Sequence, residues 1–232
     1  MSHINSVLNL RTQELAKATR VFNARGSKVK RCEQCLLPAV ECICAAKPAI
    51  TSNSAFCFIM YTGECYKPSN TGRIIADVIA DNHAFVWDRT QPDAAMLVLL
   101  NDARYAPIVV FPQQYAEAER CINSPLELTA VQSGKIPLFI MLDGTWREAK
   151  KMFKSPYLAN LPVLGIQPQQ ASAYQLREAA HLHQLCTAEV AVEVLKLAND
   201  NVAAVALAEY FAVFRRAYIV GKPHLNFTES AE

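Results

Sequence analysis

Short apolar runs alternate with helix-like segments from residue 55 onward. Residues 55–61 (AFCFIMY), 107–111 (PIVVF) and 136–142 (IPLFIML) are apolar at nearly every position, which is typical of strands buried on both faces of a sheet. Weaker signals predict strands at 84–87 and 161–166, and residues 93–100 fit a strand or a helix. Helices are predicted over 8–22, 73–82, 115–122, 145–154 and most of 187–217, with a break near 199–201. This alternation predicts an α/β fold, a mainly parallel sheet with helices on both faces.

The chain divides by composition into three parts. Residues 1–30 form a basic N-terminal arm, residues 31–50 a four-cysteine metal knuckle, and residues 51–232 an α/β domain. The 52% hydrophobic and 19% charged residues are typical of a globular protein. No apolar run approaches the roughly 18 residues that span a bilayer, and no secretory leader begins the chain. We therefore expect a cytoplasmic protein without a membrane partner, and nothing in the sequence predicts a protein partner.

Positive charge is concentrated at the N-terminus. Residues 1–31 contain seven basic side chains against Glu14 alone, a net charge of +6, whereas the remaining residues carry −4. A basic arm on an acidic body favours a polyanionic partner, although a solubilising terminus has the same composition.

Four of the eight cysteines lie within thirteen residues: Cys32, Cys35, Cys42 and Cys44. The spacing C-x2-C-x6-C-x-C suits tetrahedral zinc, and four cysteine ligands leave no open position, so the predicted role is structural. Free thiols, a redox pair or an iron–sulfur cluster are the alternatives.

The strongest candidate for chemistry follows the apolar run 136–142. Asp143 would lie at the carboxyl end of a parallel strand, the edge where ligands bind in α/β sheets. Gly144 allows close backbone approach, Thr145 is a plausible helix N-cap, and Trp146 offers a flat face for a base. Beyond this turn, Arg147, Lys150, Lys151 and Lys154 recur at helical spacing, which predicts one basic face for RNA phosphates or, more simply, a solvated face.

Two further loops carry capping residues. Residues 68–73 (PSNTGR) contain Asn70, Thr71 and Gly72 before a predicted helix. Thr187, Ala188 and Glu189 open the helical tail, where Thr187 could cap and Glu189 suits the positive helix end. Each loop taken alone is more simply explained as an ordinary helix cap.

These motifs together resemble the DTW-domain family, named for the Asp-x-Thr-Trp pattern seen here at Asp143, Thr145 and Trp146. The cysteine cluster, the PSNTGR loop, the Tyr174–Arg177 stretch and the T-A-E loop also match, over about residue 31 to the C-terminus. The resemblance implies a bacterial tRNA-uridine aminocarboxypropyltransferase. Such an enzyme transfers the 3-amino-3-carboxypropyl group of S-adenosylmethionine to uridine N3 in the tRNA variable loop and releases methylthioadenosine. It also implies kinship with SPOUT-type proteins, including a trefoil knot, which pattern alone does not reveal.

The resemblance assigns the site as follows. Asp143 is the predicted base, or orients the N3–H group. The residues expected to bind the donor are Asn70, Thr71, Gly72, Asp143, Gly144, Thr145, Trp146, Thr187, Ala188 and Glu189. Zinc is expected at the four clustered cysteines. The residues expected to bind tRNA are Arg25, Lys28, Lys30, Arg31, Arg73, Arg147, Lys150, Lys151, Lys154 and Arg177. A SPOUT-like RNA methyltransferase and a non-catalytic zinc-containing RNA-binding protein are the alternative functions.

Overall fold

The computed structural model describes residues 3–19, 29–166 and 185–220. The strands are β1 (Ala55–Met60), β2 (Asn82–Val86), β3 (Tyr105–Val110), β4 (Cys121–Ile122), β5 (Ile136–Asp143) and β6 (Val163–Leu164). The α-helices are α1 (Ser6–Lys17), α2 (Gly72–Val78), α3 (Ala94–Leu100), α4 (Pro125–Gln132), α5 (Trp146–Phe153), α6 (Thr187–Leu197) and α7 (Asn201–Val220).

The six strands form one sheet in the order β2-β1-β5-β3-β6-β4. Every strand pairing in it is parallel. β5 lies between β1 and β3, so its carboxyl end, Asp143, lies at the middle of the edge where ligands bind in such sheets. The predicted parallel α/β architecture is confirmed, and the trefoil knot stays a prediction.

Both faces of the sheet are buried, which explains the continuous apolar runs. Along β1, Phe56, Phe58 and Met60 enter one apolar cluster and Ala55, Cys57 and Ile59 enter another on the opposite face. The first cluster takes side chains from α1, α2, α4, α6 and α7, and the second from α3 and α5. Because successive residues of a strand point to opposite faces, only a nearly uninterrupted apolar run can satisfy both clusters.

The helix predicted over residues 115–122 is wrong. The chain forms two 3₁₀ turns, Gln113–Tyr115 and Ala118–Arg120, and then enters β4. Residues 113–120 (QQYAEAER) are largely polar and offer no apolar stripe for a helix to bury, whereas Ile122 is buried when it pairs beside β6. Tertiary pairing at the sheet edge therefore overrides the local preference.

Capping residues determine where two other helices begin. Asp93 caps α3 by accepting from the Ala95 and Met96 N–H groups, which settles residues 93–100 as a helix. The unpredicted α4 begins after Ser124, whose side chain accepts from the Glu127 N–H, with a proline in its first turn.

The N-terminal helix packs on the body. Val7 and Leu10 of α1 are buried in the larger apolar cluster. Asn5 caps α1 through the Leu8 N–H and donates to Asp77 Oδ1 at 2.8 Å. The division of the chain at residues 30 and 50 stays a prediction. Across the described ranges, the helices are too short or too polar to cross a bilayer.

Candidate functional site

Asp143 occupies the carboxyl end of the central strand and is only 4% exposed. Its Oδ2 accepts a hydrogen bond from Asn70 Nδ2 at 2.8 Å, and its Oδ1 accepts one from Thr187 Oγ1 at 3.4 Å. The Tyr61 N–H donates to the Asp143 carbonyl at 2.8 Å and fixes the backbone where β5 ends. One carboxylate thus joins three segments that are far apart in the sequence.

Gly72 permits the close approach of Asp143 to α2. A Cβ atom placed on Gly72 would lie 2.7 Å from Asp143 Oδ2 and 3.3 Å from Asn70 Oδ1. A separation below 3 Å is a steric clash, so even alanine would displace the carboxylate or the helix start. This residue is a glycine because the carboxylate occupies the space of its side chain.

The loop before α6 completes the convergence. The Ala188 N–H donates to Thr71 Oγ1 at 3.3 Å, and Ala188 is fully buried. The predicted capping role of Thr187 is wrong, because Cys186 is the N-cap and the Glu189 carboxylate accepts from the Cys186 N–H at 2.8 Å. Thr187 is the first helical residue, and its hydroxyl donates to Asp143 instead.

Sequence reasoning missed a buried acid beside this loop. Glu64 is 1% exposed, accepts from Asn70 Nδ2 at 3.4 Å and forms an ion pair with Lys67. The Asn70 amide group therefore lies between two carboxylates, while its oxygen accepts from the Arg73 N–H at 3.1 Å. Glu64 lies in a short 3₁₀ turn after β1, and no motif in the sequence distinguishes it.

The rest of the D-G-T-W turn faces away from this cluster. Thr145 caps α5 as predicted, in a capping box with Glu148. Trp146 is 38% exposed, stacks on Phe111 with ring centroids 5.4 Å apart and meets Tyr115 edge to face. Gly144 lies close to Glu148 and Tyr61, whose Cβ atoms would each be 3.2 Å from a Cβ atom placed on the glycine. Trp146 thus belongs to an aromatic group on the other face of the sheet.

The basic face of α5 is present. Ala149, Met152 and Phe153 are buried, whereas Arg147, Lys151 and Lys154 are exposed. Lys150 lies over the rings of Tyr115 and Trp146, at 4.6 and 5.0 Å from their centroids. Lys30 is exposed and Arg31 half-buried, whereas Arg25, Lys28, Tyr174 and Arg177 lie outside the described residues.

Arg73 requires a correction. It is 1% exposed, its guanidinium lies 3.6 Å from Asp77 Oδ2, and it packs over Phe214. A side chain buried in this way cannot contact tRNA phosphates, because α2 points it into the core. We therefore remove Arg73 from the predicted RNA-binding residues.

The four clustered cysteines have a geometry suited to one metal ion. Their sulfur atoms all lie within 4.8 Å of one another. The Cys32–Cys42, Cys32–Cys44 and Cys35–Cys42 separations are 3.5, 3.6 and 3.8 Å. A tetrahedral ion with Zn–S bonds near 2.3 Å requires sulfurs about 3.8 Å apart. These three separations are close to that spacing, so the cluster could hold zinc with little rearrangement.

Local hydrogen bonds already favour one thiolate. The backbone N–H of Cys35 lowers the pKa of Cys32 to about 6, whereas burial raises the pKa of Cys35 and of Cys44. A divalent cation favours the thiolate form of all its cysteine ligands, so binding would release protons from Cys35 and Cys44.

A cleft of about 1010 Å³ lies beside the start of α6. Glu189, Gln113, Asn123 and Arg215 contribute polar groups to its wall. Its volume is at the upper end of the range for small-molecule sites. Asp143 lies behind the T-A-E loop and does not line this cleft.

Comparison with known proteins identifies the chain's relatives at the level of family. No solved structure matches this chain significantly. The family model described as the DTW domain matches residues 29–219, which include the cysteine cluster, the Asp143 turn and the T-A-E loop. This chain therefore belongs to the DTW-domain family.

Proposed function

We propose that this protein is a tRNA-uridine aminocarboxypropyltransferase. It transfers the 3-amino-3-carboxypropyl group of S-adenosylmethionine to N3 of a uridine in the tRNA variable loop and acts in the cytoplasm. Membership of the DTW-domain family is consistent with tRNA modification. The proposal adds to this role the donor, S-adenosylmethionine, and the transferred aminocarboxypropyl group.

The observation that carries it is the convergence of three loops on one carboxylate. Asn70, Gly72 and Thr187 surround Asp143 at the carboxyl edge of the parallel sheet, and Thr71 bonds the backbone of Ala188. Backbone and side-chain donors fixed in this way can orient a polar donor substrate such as an amino acid moiety. An ordinary helix cap would explain each loop taken alone. It does not explain why the three loops converge on the Asp143 carboxylate.

The reaction forms one bond and breaks one. The uridine N3 atom attacks the γ-carbon of the aminocarboxypropyl arm, the carbon–sulfur bond breaks, and its electron pair neutralises the sulfonium to give methylthioadenosine. The N3 proton leaves to a base. Asp143 would accept that proton or orient the N3–H group, and its low exposure requires that Asn70 or Thr187 exchange its hydrogen bond for one to the substrate.

Exposed basic residues on α5 support the proposed binding of tRNA. Arg147, Lys151 and Lys154 present exposed charge on the helix that directly follows Asp143 and Gly144. Phosphate contacts from such a face would position tRNA at this edge of the sheet without reading sequence.

Nucleoside analysis tests the proposal directly. Purified protein is incubated with S-adenosylmethionine and unmodified tRNA, and the digested nucleosides are analysed by mass spectrometry. We expect uridine bearing the aminocarboxypropyl group and one equivalent of methylthioadenosine. Asp143→Asn should lower the rate by at least about 100-fold, since a positioned acid–base group contributes that much. A methylated product would instead identify a methyltransferase, and absence of donor binding would favour the RNA-binding alternative.

A matched variant controls for loss of buried charge. Asp200→Asn changes a carboxylate that is 6% exposed and lies beside the amino end of β1, where its Oδ2 accepts from the Ser52 hydroxyl, the Asn53 N–H and the Ser54 hydroxyl. This variant should retain wild-type turnover.

A further inference from the structure

A row of nearly parallel aromatic rings leads from the core to the surface along α5. The Phe111 ring stacks on Phe153 with centroids 4.4 Å apart and on Trp146 with centroids 5.4 Å apart, at interplanar angles of 17° and 15°. Both separations suit the offset-stacked arrangement that aromatic pairs prefer. Phe111 and Phe153 are buried, whereas Trp146 is 38% exposed. Trp146 is therefore the end of the row that solvent or a ligand can reach.

Tyr115 adds a second exposed ring beside Trp146. It ends the 3₁₀ turn that follows β3, is 39% exposed and meets Trp146 edge to face, with ring centroids 5.6 Å apart. The Lys150 ammonium lies 4.6 Å from the Tyr115 centroid and 5.0 Å from the Trp146 centroid. We call Tyr115, Trp146 and Lys150 the aromatic patch. Two large rings in contact that both remain exposed are a candidate binding surface.

Packing and capping hold the aromatic patch in one arrangement. Trp146 is the first residue of α5, whose start is fixed by the capping box between Thr145 and Glu148. The Phe111 ring supports Trp146 from within, and the Phe111 N–H donates to the Leu164 carbonyl at 3.1 Å. A flat ligand that stacks on rings held in this way loses little conformational entropy of the protein.

The charge around the aromatic patch favours an anionic ligand. Of the acids nearest in the sequence, Glu148 belongs to the capping box, Glu117 pairs with Arg120 at 3.1 Å, and Glu119 is exposed. S-adenosylmethionine carries a sulfonium and an ammonium group against one carboxylate, so a basic surface disfavours it, whereas a nucleotide strand is attracted. Four basic residues follow Trp146 on α5 or at its end: Arg147, Lys150, Lys151 and Lys154.

The proposed reaction requires an unpaired stretch of RNA. Uridine N3 lies on the pairing edge of the base, so a paired uridine must leave its helix before it can react. Bases beside such a nucleotide lose stacking partners, which RNA-binding proteins replace by aromatic side chains. Asp143 contacts the loops before α2 and α6, whereas Trp146 packs on the opposite face of the sheet. The base at Trp146 would therefore be a neighbour of the target uridine.

We propose that the aromatic patch binds an unpaired base of tRNA next to the target uridine. The base stacks on Trp146 beside Tyr115, and Lys150 exchanges its contact with the two rings for the phosphate of the same nucleotide. This inference assigns Trp146 to the RNA and not to the donor. It rests on the proposed function for the identity of the RNA, but its test measures binding instead of turnover, so the two proposals can fail separately.

Tryptophan fluorescence of the full-length protein tests the stacking. The chain has two tryptophans, so Trp87→Phe leaves Trp146 as the reporter and Trp146→Phe leaves Trp87 as the matched control. Trp87 is half-buried, and its indole N–H donates to Ser155 Oγ at 2.9 Å. Saturating unmodified tRNA should lower the Trp146 emission at least about twofold, because the base stacks on the indole. The Trp87 emission should not change, and a fully paired RNA duplex should leave both reporters unchanged.

Affinity and its salt dependence give a second measurement. Trp146→Ala should weaken tRNA binding about 5- to 150-fold, which is the range for loss of one stacked base. The slope of log affinity against log salt concentration should stay the same, because a neutral ring contacts no phosphate. Trp146→Phe, which keeps a flat ring, should restore most of the affinity. If Trp146→Ala does not fold, the fluorescence of Trp87→Phe still decides the case.

The outcomes separate this inference from the proposed function. Binding of tRNA without a change in Trp146 emission would overturn the inference, as would equal changes at both reporters or with the RNA duplex. A change on addition of S-adenosylmethionine alone would assign the aromatic patch to the donor and also overturn it. Aminocarboxypropyl transfer without a fluorescence change would reject the inference alone, and a fluorescence change without transfer would reject the proposed function alone. Absence of tRNA binding would reject both.

Discussion

At the scale of single residues, the site depends on how closely Asp143 approaches the start of α2. The carboxylate occupies the position where a side chain at residue 72 would begin, and Asn70 bonds to the same oxygen atom. Its placement is therefore set by steric exclusion as well as by hydrogen bonds. A small change at residue 72 tests the geometry without altering any charged or polar group.

Gly72→Ala should abolish most of the activity while leaving the protein folded. The new Cβ would lie 2.7 Å from Asp143 Oδ2, so the carboxylate must move by several tenths of an ångström or more. Misplacement of a reacting group by about 1 Å can cost 100-fold in rate. Turnover of tRNA under saturating donor measures the effect, and circular dichroism checks the fold.

Gly134→Ala separates this effect from general destabilisation. Gly134 has a φ of +76° and open space around its Cα, so alanine there is strained but touches nothing. The free energy of unfolding of Gly134→Ala should fall by about 1 kcal/mol, which is typical of an alanine held in the left-handed backbone region. The activity of this variant should be retained. Similar activity losses in both glycine variants would argue against the steric explanation.

At the scale of elements, α5 presents a buried apolar face and an exposed basic face. The buried residues Ala149, Met152 and Phe153 fix the helix against the sheet, and this directs Lys151 and Lys154 to solvent. Both lysines lie on the helix that follows the Asp143 turn. The orientation of this charge is thus a consequence of core packing.

Replacing both Lys151 and Lys154 by alanine should weaken tRNA binding. It should also make the affinity for tRNA less dependent on salt concentration. Each phosphate contact contributes about 0.7–0.9 to the slope of log affinity against log salt concentration. We expect the slope to fall by about 1.4–1.8, measured by fluorescence anisotropy over a series of salt concentrations. The double variant Arg104→Ala, Lys135→Ala removes equal charge at the amino edge of the sheet and should leave the slope unchanged.

Element patterns in the sequence predicted five of the six strands in the described residues but not the edge strand β4. β1, β3 and β5 could be predicted because strands buried on both faces need continuous apolar runs. β4 and α4 could not, since a two-residue strand is defined by its partner β6 and α4 carries one buried residue, Leu128.

The meeting of three segments at Asp143 could be predicted from the sequence, whereas the roles assigned to their residues stay predictions. The Asp143 turn and its two partner loops have recognisable residue types, and the structure brings Asn70, Gly72 and Thr187 together as expected. Glu64 and the burial of Arg73 could not be predicted, because both depend on which elements pack above them. Contacts distant in sequence leave no periodic signal.

At the scale of the whole molecule, two apolar layers enclose the sheet and bury polarisable thiols. Cys57 of β1 is fully buried, and burial raises the pKa of its thiol from 9.0 to about 12. In the unfolded chain this thiol ionises near pH 9, whereas in the folded protein it stays protonated until about pH 12. The contribution of this thiol to the free energy of unfolding is therefore fully present below pH 9 and is lost as the pH rises toward 12.

Cys57→Ala should reduce the alkaline loss of stability. One such group changes the free energy of unfolding by up to about 1.4 kcal/mol per pH unit. Between pH 8 and 10.5, wild-type protein should lose about 2 kcal/mol more than the variant, as measured by urea unfolding. Cys121→Ala, on the half-exposed β4, is the control and should behave as wild type. Equal losses in Cys57→Ala and wild type would contradict the assignment.

The position of β5 between β1 and β3 has a consequence for the order of assembly. A chain made from its N-terminus can pair β1 with β2 early, but β3 has no neighbour on its β1 side until residues 136–143 arrive. Until then one edge of β1 and both edges of β3 are open to other chains, because β6 also follows residue 136. A nascent chain stopped before residue 136 would therefore be prone to aggregate and would be a natural client for chaperones.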